Sequence, residues 1–459
     1  MSVGPQIGIV ADDLTGGTTV GALLARRGVP TTVLFSRESV TRDAQSAEGA
    51  VVVSTDSRAM PPEVAFGRVR AATLALAAAG ARQFAKRIDT TCRGGIGAEV
   101  EGMLAALDPG HVAVIVPAMP QSRRIVVDGY SVIDSVLLAR TGVAQDVRTP
   151  VTESHLPTLL ADQFSVPIGH VGIGAVLAGA QVLQGELARA RTDGARAILV
   201  DAASLEDVTA IAQATVALDW RVVAVDPGPF TTALAAAQGI AAPADRADHP
   251  LRDDPSVEDR GTVVVVAGSA TGVTHRQIAR VRAAAGTETI AVDPADLLDE
   301  AGAGRVAQEV VARARAWHRD GHPRVAVLAF DTVVDGRPPD PERLSRLSGL
   351  SGHQVAIRLS EQLGRLARVL ADEVGRHCAG FYLTGGDVMV RSVAALGAQG
   401  ITLRDFVIPQ VDHGVLRGGP YDGLPVVCKG GLTGDDRTAL HSVNRLFDER
   451  SRTDAHSPA

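Results

Sequence analysis

Two adjacent carboxylates, Asp12 and Asp13, follow the apolar run Ile7-Gly8-Ile9-Val10-Ala11 and lead into Leu14, Thr15 and the pair Gly16-Gly17. A short apolar run of this kind reads as a buried strand, and the alanine-rich stretch from Val20 to Arg26 reads as the helix after it. In an open α/β sheet, ligands bind just outside the C-terminal end of a strand, where the next helix begins. Asp13 or Thr15 would also serve as a helix N-cap. One cap needs only one such residue, however, and a second acid at a strand end is costly unless it is used. Two further strand-like runs end in the same kind of groups. Ala50 to Thr55 runs into Asp56-Ser57-Arg58, and Gln83 to Ile88, which carries Lys86, runs into Asp89-Thr90-Thr91-Cys92-Arg93. Taken singly, each is as well explained by solvated loop charge. If the three strands share one parallel sheet, their ends lie on one edge and the groups converge. Carboxylates accept hydrogen bonds from several sugar hydroxyls, and Arg58 or Arg93 could grip a ligand carboxylate through two parallel N–H donors. Asp12, Thr15, Arg58, Lys86, Asp89, Thr90 and Arg93 are therefore the candidate contacts for a small hydroxy acid.

The second half of the chain carries three glycine-rich turns, each after a strand-like run: Gly268-Ser269, Thr384-Gly385-Gly386-Asp387 and Lys429-Gly430-Gly431. Glycine lets backbone N–H groups approach phosphate oxygens, and a helix N-terminus favours the anion. None of the three is a Walker A sequence or a GxGxxG fingerprint. Gly172-Ile173-Gly174 with Gly179 comes near the latter at the wrong spacing, and reads as helix-packing glycine. One glycine turn alone says little, but the set points to nucleotide phosphates bound by Ser269, Thr384, Gly385, Gly386, Asp387, Gly430 and Gly431. A hydroxyl- and carboxylate-binding half joined to a phosphate-binding half suggests phosphoryl transfer across the cleft between them. That chemistry rests on positioning and charge stabilisation, with Mg²⁺ bridging phosphate oxygens and a carboxylate near the attacking hydroxyl. Asp13 or Asp89 is the candidate for that carboxylate, and Asp387 for placing the metal.

These groups need rigid elements behind them. Strand, polar turn and helix alternate from Ile7 to Val116 and again from Val166 to Val225, which implies mainly parallel sheets flanked by helices. Ile125-Val126-Val127, Asp128-Gly129 and Tyr130 to Ile133 break that rhythm and predict a hairpin, since Asp-Gly favours a two-residue turn. The charged, proline-bearing stretch at 245–261 reads as a linker, dividing a sugar-acid-binding domain at 1–244 from a nucleotide-binding domain at 262–450. The 459 residues suit two such domains. The second resumes with Thr262 to Ala267, continues through Val325 to Phe330, and has its last strand at Pro425 to Lys429; the tail from Ser451 is expected to fray. Hydrophobic residues make up 46% and aromatics 3%, which suits layered α/β packing. The formal charge of −7 and the lack of a basic stripe argue against a nucleic-acid partner. Three scattered cysteines, no leader-like N-terminus and no run near a membrane span predict a cytoplasmic protein.

Taken together, Ala11-Asp12-Asp13-Leu14-Thr15-Gly16, Ser57-Arg58, Lys86 to Gly94, Pro117 to Pro120, Gly268 to Thr271 with Thr274 and Gln277, Thr384 to Asp387 and Lys429 to Gly431 resemble the four-carbon acid sugar kinases. The motifs keep that family's order from about residue 7 to 440. The resemblance implies ATP-dependent phosphorylation of a terminal hydroxyl of a short-chain sugar acid. By it, Asp12, Arg58 and the Lys86 to Arg93 segment contact substrate, while Ser269, Thr384 to Asp387, Gly430 and Gly431 contact ATP. The chain departs from the family pattern at Thr18-Thr19, where an acid is expected. It departs again at Val388-Met389, at Leu432-Thr433 and at Ser122-Arg123-Arg124-Ile125. Those departures leave a second reading, a non-catalytic sugar-acid or nucleotide sensor, and a third, a nicotinamide-dependent dehydrogenase, which the absent fingerprint disfavours. A homodimer is one option for the assembly.

Overall fold

A computed structural model describes residues 4–35, 48–146, 148–253 and 261–456. The chain divides into two compact units, Met1–Ala247 and Asp248–Ala459. The division falls inside the 245–261 stretch, of which 254–260 lie outside the described residues. What is described of that stretch is tied down within each unit. Asp245 is ion-paired with Arg26 and Arg27, and Arg252 is paired with Asp448 at 2.8 Å.

The strands of the first unit are β1 (Ile7–Ala11), β2 (Thr31–Leu34), β3 (Ala50–Ser54), β4 (Gln83–Arg87), β5 (His111–Ile115), β6 (Arg124–Val127), β7 (Tyr130–Ile133), β8 (Val136–Leu137), β9 (Ile168–Val171), β10 (Ala197–Val200) and β11 (Arg221–Asp226). Its main sheet runs β2-β3-β1-β4-β11-β5-β10-β9 with parallel pairing between neighbours. Strands such as Ala50-Val51-Val52-Val53 are apolar throughout because helices cover both faces, leaving no solvent side to alternate with. Register is what builds the site. Ala11 pairs with Ser54 and with Arg87, so β1, β3 and β4 end level and the polar residues beyond them emerge on one edge.

The hairpin forms at Asp128-Gly129, whose φ values of 50° and 75° suit a two-residue turn of the primed kind. It is pinned rather than free-standing. Gly129 N donates to the Asp201 carboxylate at 3.1 and 3.2 Å, and Val126 bridges to Ala202 beyond β10. The near-fingerprint glycines do not act through helix packing. A Cβ at Gly174 or Gly179 would meet nothing within 4 Å, and Gly179 is needed for its φ of 99°.

The second unit contains β12 (Thr262–Ala267), β13 (Thr287–Val292), β14 (Val325–Phe330), β15 (Cys378–Thr384), β16 (Gly400–Ile408), β17 (Val411–Arg417) and β18 (Pro425–Lys429). Its order is β13-β14-β12-β15-β18-β17-β16, the first five parallel and the last two antiparallel. Ala267 pairs with Thr384 and Thr384 with Lys429, so β12, β15 and β18, three neighbours, also end level. The backbone does not fray at Ser451, since the last helix runs Thr438–His456. Among the described residues, no helix is long and apolar enough to cross a membrane.

Candidate functional site

At the level ends of β1, β3 and β4, three carboxylates and three guanidinium groups interlock. Asp12 is buried and accepts from Arg58 Nε at 2.7 Å and Arg87 Nη1 at 3.0 Å. Asp13 caps the helix Leu14–Arg26 by accepting from Gly16 N at 2.8 Å, and the same oxygen lies 3.0 Å from Arg87 Nη1 and 2.9 Å from Arg58 Nη2. Asp89 receives Arg93 Nε at 2.8 Å and Nη2 at 3.2 Å, as well as the backbone N–H and hydroxyl of Thr91. Arg58 Nη2 reaches Asp89 Oδ1 at 3.6 Å and so joins all three acids.

Burial opposes the charges of Asp12, Asp89, Arg58 and Arg93, but the ion pairs outweigh it. Arg58, with Arg93 and Arg87, holds the Asp89 carboxyl well below the usual carboxylate range, and Arg58, Arg87 and Lys86 do the same, less strongly, for Asp12. Conversely, Asp12, Asp13 and Asp89 hold Arg58 well above its ordinary value. Burial, then the Asp89 charge, pushes the neighbouring Cys92 thiol up to about 12, which removes it as a nucleophile.

The cluster therefore contains the predicted Asp12, Asp13, Arg58, Asp89 and Arg93. Thr15 lies in the first turn of its helix and Thr90 beside Asp89; among the described residues neither hydroxyl has a hydrogen-bond partner. Lys86 sits below the cluster, fully buried, with Nζ 2.9 Å from Glu99 Oε2 and 2.7 Å from the Arg87 carbonyl. Glu99 in turn accepts from Ser57. Arg58 and Arg93 are not idle carboxylate grips, because Arg58 Nε is engaged by Asp12 and Arg93 by Asp89 and Asp146, although Arg58 Nη2 keeps no hydrogen-bond partner. Thr18 and Thr19, where the family pattern has an acid, are buried, and each hydroxyl turns back to the Thr15 carbonyl, at 2.9 and 3.1 Å.

Arg87, Glu99, Arg124 and Asp146 were not singled out from the sequence. Arg87 has a readable trace in Gly16, where a Cβ would fall 1.8 Å from the guanidinium, so any other residue would displace Arg87 from its ion pairs with Asp12 and Asp13. Arg124, at the start of β6, makes no ion pair among the described residues. Its Nε is buried without a partner and its Nη1 donates to the Ser122 carbonyl. Burial lowers its pKa, and Asp89 and Asp134 only partly restore it. Unlike Arg58, Arg87 and Arg93, it has no bonded carboxylate among the described residues.

In the second unit, the three glycine turns touch one another. Gly385 N donates to the Lys429 carbonyl at 3.0 Å, and a Cβ on Gly431 would lie 2.1 Å from Ser269 Oγ. The turn after β18 has its carbonyls pinned. Thr271 and Thr274 hydroxyls hold that of Gly431 at 2.7 and 3.0 Å, while Gln277 Nε2 holds those of Thr433 and Asp435 at 3.0 and 2.7 Å. Lys429 Nζ holds those of Gly430 and Thr433. In a trans peptide the next N–H points opposite to the carbonyl. The N–H groups of Gly431, Leu432 and Gly434 therefore face away from these anchors, and among the described residues they have no hydrogen-bond partner. The helix Gly386–Ala395 begins without a side-chain cap, and exposed Asp387 stands in its first turn. Val388 and Met389 are buried; Val388 fills the space that a side chain on Gly268 would need.

Family models for a sugar-binding N-terminal domain and a nucleotide-binding C-terminal domain match residues 7–234 and 264–439. A D-erythronate kinase of Heliobacterium modesticaldum is 34% identical over 442 residues, covering 96% of each chain. The chain belongs to the four-carbon acid sugar kinase family. It is also 34% identical to a D-threonate kinase of Bordetella bronchiseptica, over 97% of this chain and 99% of that one. A crystal structure of a Salmonella typhimurium protein shares the fold with a TM-score of 0.75 at 23% identity, covering 95% of this chain and 98% of that one. As a member of the family, the protein is a sugar-acid kinase.

Proposed function

We propose that this kinase uses ATP to phosphorylate the terminal hydroxyl of a four-carbon sugar acid, held by the first unit, with the nucleotide held by the second. The observation that carries the acceptor half is the interlocked acid–guanidinium cluster, in which one oxygen stays open. Both Asp12 oxygens and both Asp89 oxygens are engaged by guanidinium donors, whereas the bonds to Asp13 all fall on Oδ1. Asp13 Oδ2 is thus free to accept the proton of the attacking hydroxyl or to orient it, and Asp13 is preferred over Asp89 for that role. Asp89 instead fixes Arg58 and Arg93, and Lys86 fixes the strand end from beneath.

The carboxylate of the substrate needs a cation, and Arg124, buried beside Asp89 without an ion pair among the described residues, is the candidate. Arg124→Met is expected to raise the KM for the sugar acid about 10–100-fold, the loss of one charge-assisted contact. Its kcat and its KM for ATP should stay near wild type; an unchanged KM for the acid would show that the carboxylate binds elsewhere.

For the donor, the N–H groups of Gly431, Leu432 and Gly434 and the uncapped start of Gly386–Ala395 are backbone donors of the kind that binds phosphate. Among the described residues no group of three His, Cys, Asp or Glu side chains could hold a metal. Mg²⁺ that arrives on nucleotide phosphates needs only one or two protein carboxylates. Asp387, exposed beside those donors, fits that need. Bound there, the ion would neutralise phosphate charge. ADP release across D-erythronate, D-threonate and 3-oxo-tetronate tests the substrate class directly. Nucleotide binding without turnover on any acid would favour the sensor reading, although Val388 and Met389, which raised it, are packing residues.

A further inference from the structure

The chain has 45 basic Lys and Arg residues but only two lysines, Lys86 and Lys429. Both are fully buried near the C-terminal end of a strand, one in each unit. An arginine stays charged at any ordinary pH, while a buried lysine can lose its proton. Lys86 is ion-paired with Glu99. Lys429 is bonded only to carbonyls, Gly430 O at 2.7 Å and Thr433 O at 3.3 Å, and so uses two of its three donors. It is also the single basic residue in the turns 268–272, 384–388 and 429–434.

We propose that Lys429 is the positioning residue of the phosphate turn, pinning the carbonyls of Gly430 and Thr433 from the buried side and placing a positive charge behind the N–H groups that the nucleotide phosphates meet. The proposal rests on the nucleotide reading of this unit. Ionisable groups on the elements packed around it include Cys378 and Tyr382 on β15, Asp412, His413 and Arg417 on β17, Asp387 and Arg391 on the helix Gly386–Ala395, Asp435 and Asp436 in the turn, Arg276, and His441, Arg445, Asp448, Glu449 and Arg450 in the last helix. Among the described residues Lys429 forms an ion pair with none of them. Burial without a counter-charge pushes its pKa down to about 7. Polyphosphate bound on the outer face of the turn supplies the missing counter-charge across it and restores the reason to stay charged. Above that pH the empty protein lacks a proton that the nucleotide complex holds, so binding takes one up from solvent, and affinity falls as pH rises.

Calorimetric titration with ADP and Mg²⁺ at about pH 8, in two buffers of different ionisation enthalpy, reads the proton directly, because the nucleotide itself is fully ionised there. Wild type is expected to take up close to one proton and to bind up to tenfold more weakly per pH unit above about 7. Lys429→Met should bind about 10–100-fold more weakly at about pH 6, with no proton uptake and no pH dependence. Lys429→Arg, permanently charged, should bind without uptake. ADP binding by wild type at both pH values without uptake would overturn the role of Lys429 and leave the function intact. No ADP binding at either pH would overturn the nucleotide reading, and this inference with it.

Discussion

Asp13→Asn is expected to lower kcat by about 10²–10³-fold, within the range for losing a group that accepts or orients a transferred proton. Asparagine caps a helix as well as aspartate does, so the Gly16 N–H keeps an acceptor and the helix Leu14–Arg26 keeps its start. Substrate KM should therefore stay close to wild type, with a melting temperature lowered only by the lost charge beside Arg58 and Arg87. Asp89→Asn is the necessary companion. Its carboxylate is held ionised by Arg58 and Arg93, and its loss leaves both guanidinium groups poorly matched. It should cost stability and acid binding together rather than kcat alone. A folded Asp89→Asn protein that binds acid normally but does not turn over, beside an active Asp13→Asn, would move the role from Asp13 to Asp89.

Lys86→Met should destabilise the first unit by about 3–5 kcal/mol, the usual result of removing one partner from a buried pair and leaving the other charge uncompensated. The stranded group is Glu99, 2% exposed, with only Ser57 left to donate to it. The double variant Lys86→Met/Glu99→Leu should recover much of the loss, because two apolar groups of similar volume carry no desolvation cost. Urea unfolding of both variants decides it. If the double variant is no more stable than the single one, the pair is not the source of the effect. Loss of Lys86 should also depress activity, since its ammonium bonds the carbonyl of Arg87, the residue that bridges Asp12 and Asp13.

The edge positions of the site were legible in the sequence because strand ends are punctuated. An apolar run that stops at Asp12-Asp13, or at Lys86 to Asp89, declares both the strand and the edge where its chemistry lies. The hairpin was legible for a similar reason, since Asp128-Gly129 admits few alternatives. What stayed hidden were partners set by tertiary register. Nothing near Glu99 in sequence marks it as the counter-ion of Lys86, because a turn and the first helical residues separate them. Arg87 was visible only as part of a motif, and its demand on Gly16 crosses from one strand to the helix after another. The antiparallel pair β16–β17 also escaped, lacking the continuous apolar run that marked the parallel strands. Val388 and Met389 looked like damage to a binding turn when seen as letters. In three dimensions both are buried, and Val388 is the floor beneath Gly268.

The scarcity of lysine has a practical consequence. An endoproteinase specific for lysine has two bonds to cut in the whole chain, after residues 86 and 429, and each side chain is sealed in a different unit. Cleavage then requires opening of the unit concerned, and its rate follows the population of the open form when reclosing is fast. Fragments cut after 86 report on the first unit and fragments cut after 429 on the second, giving two separate stability readings from one digest. Sugar acid should slow the first cut and nucleotide the second, without any label or substitution.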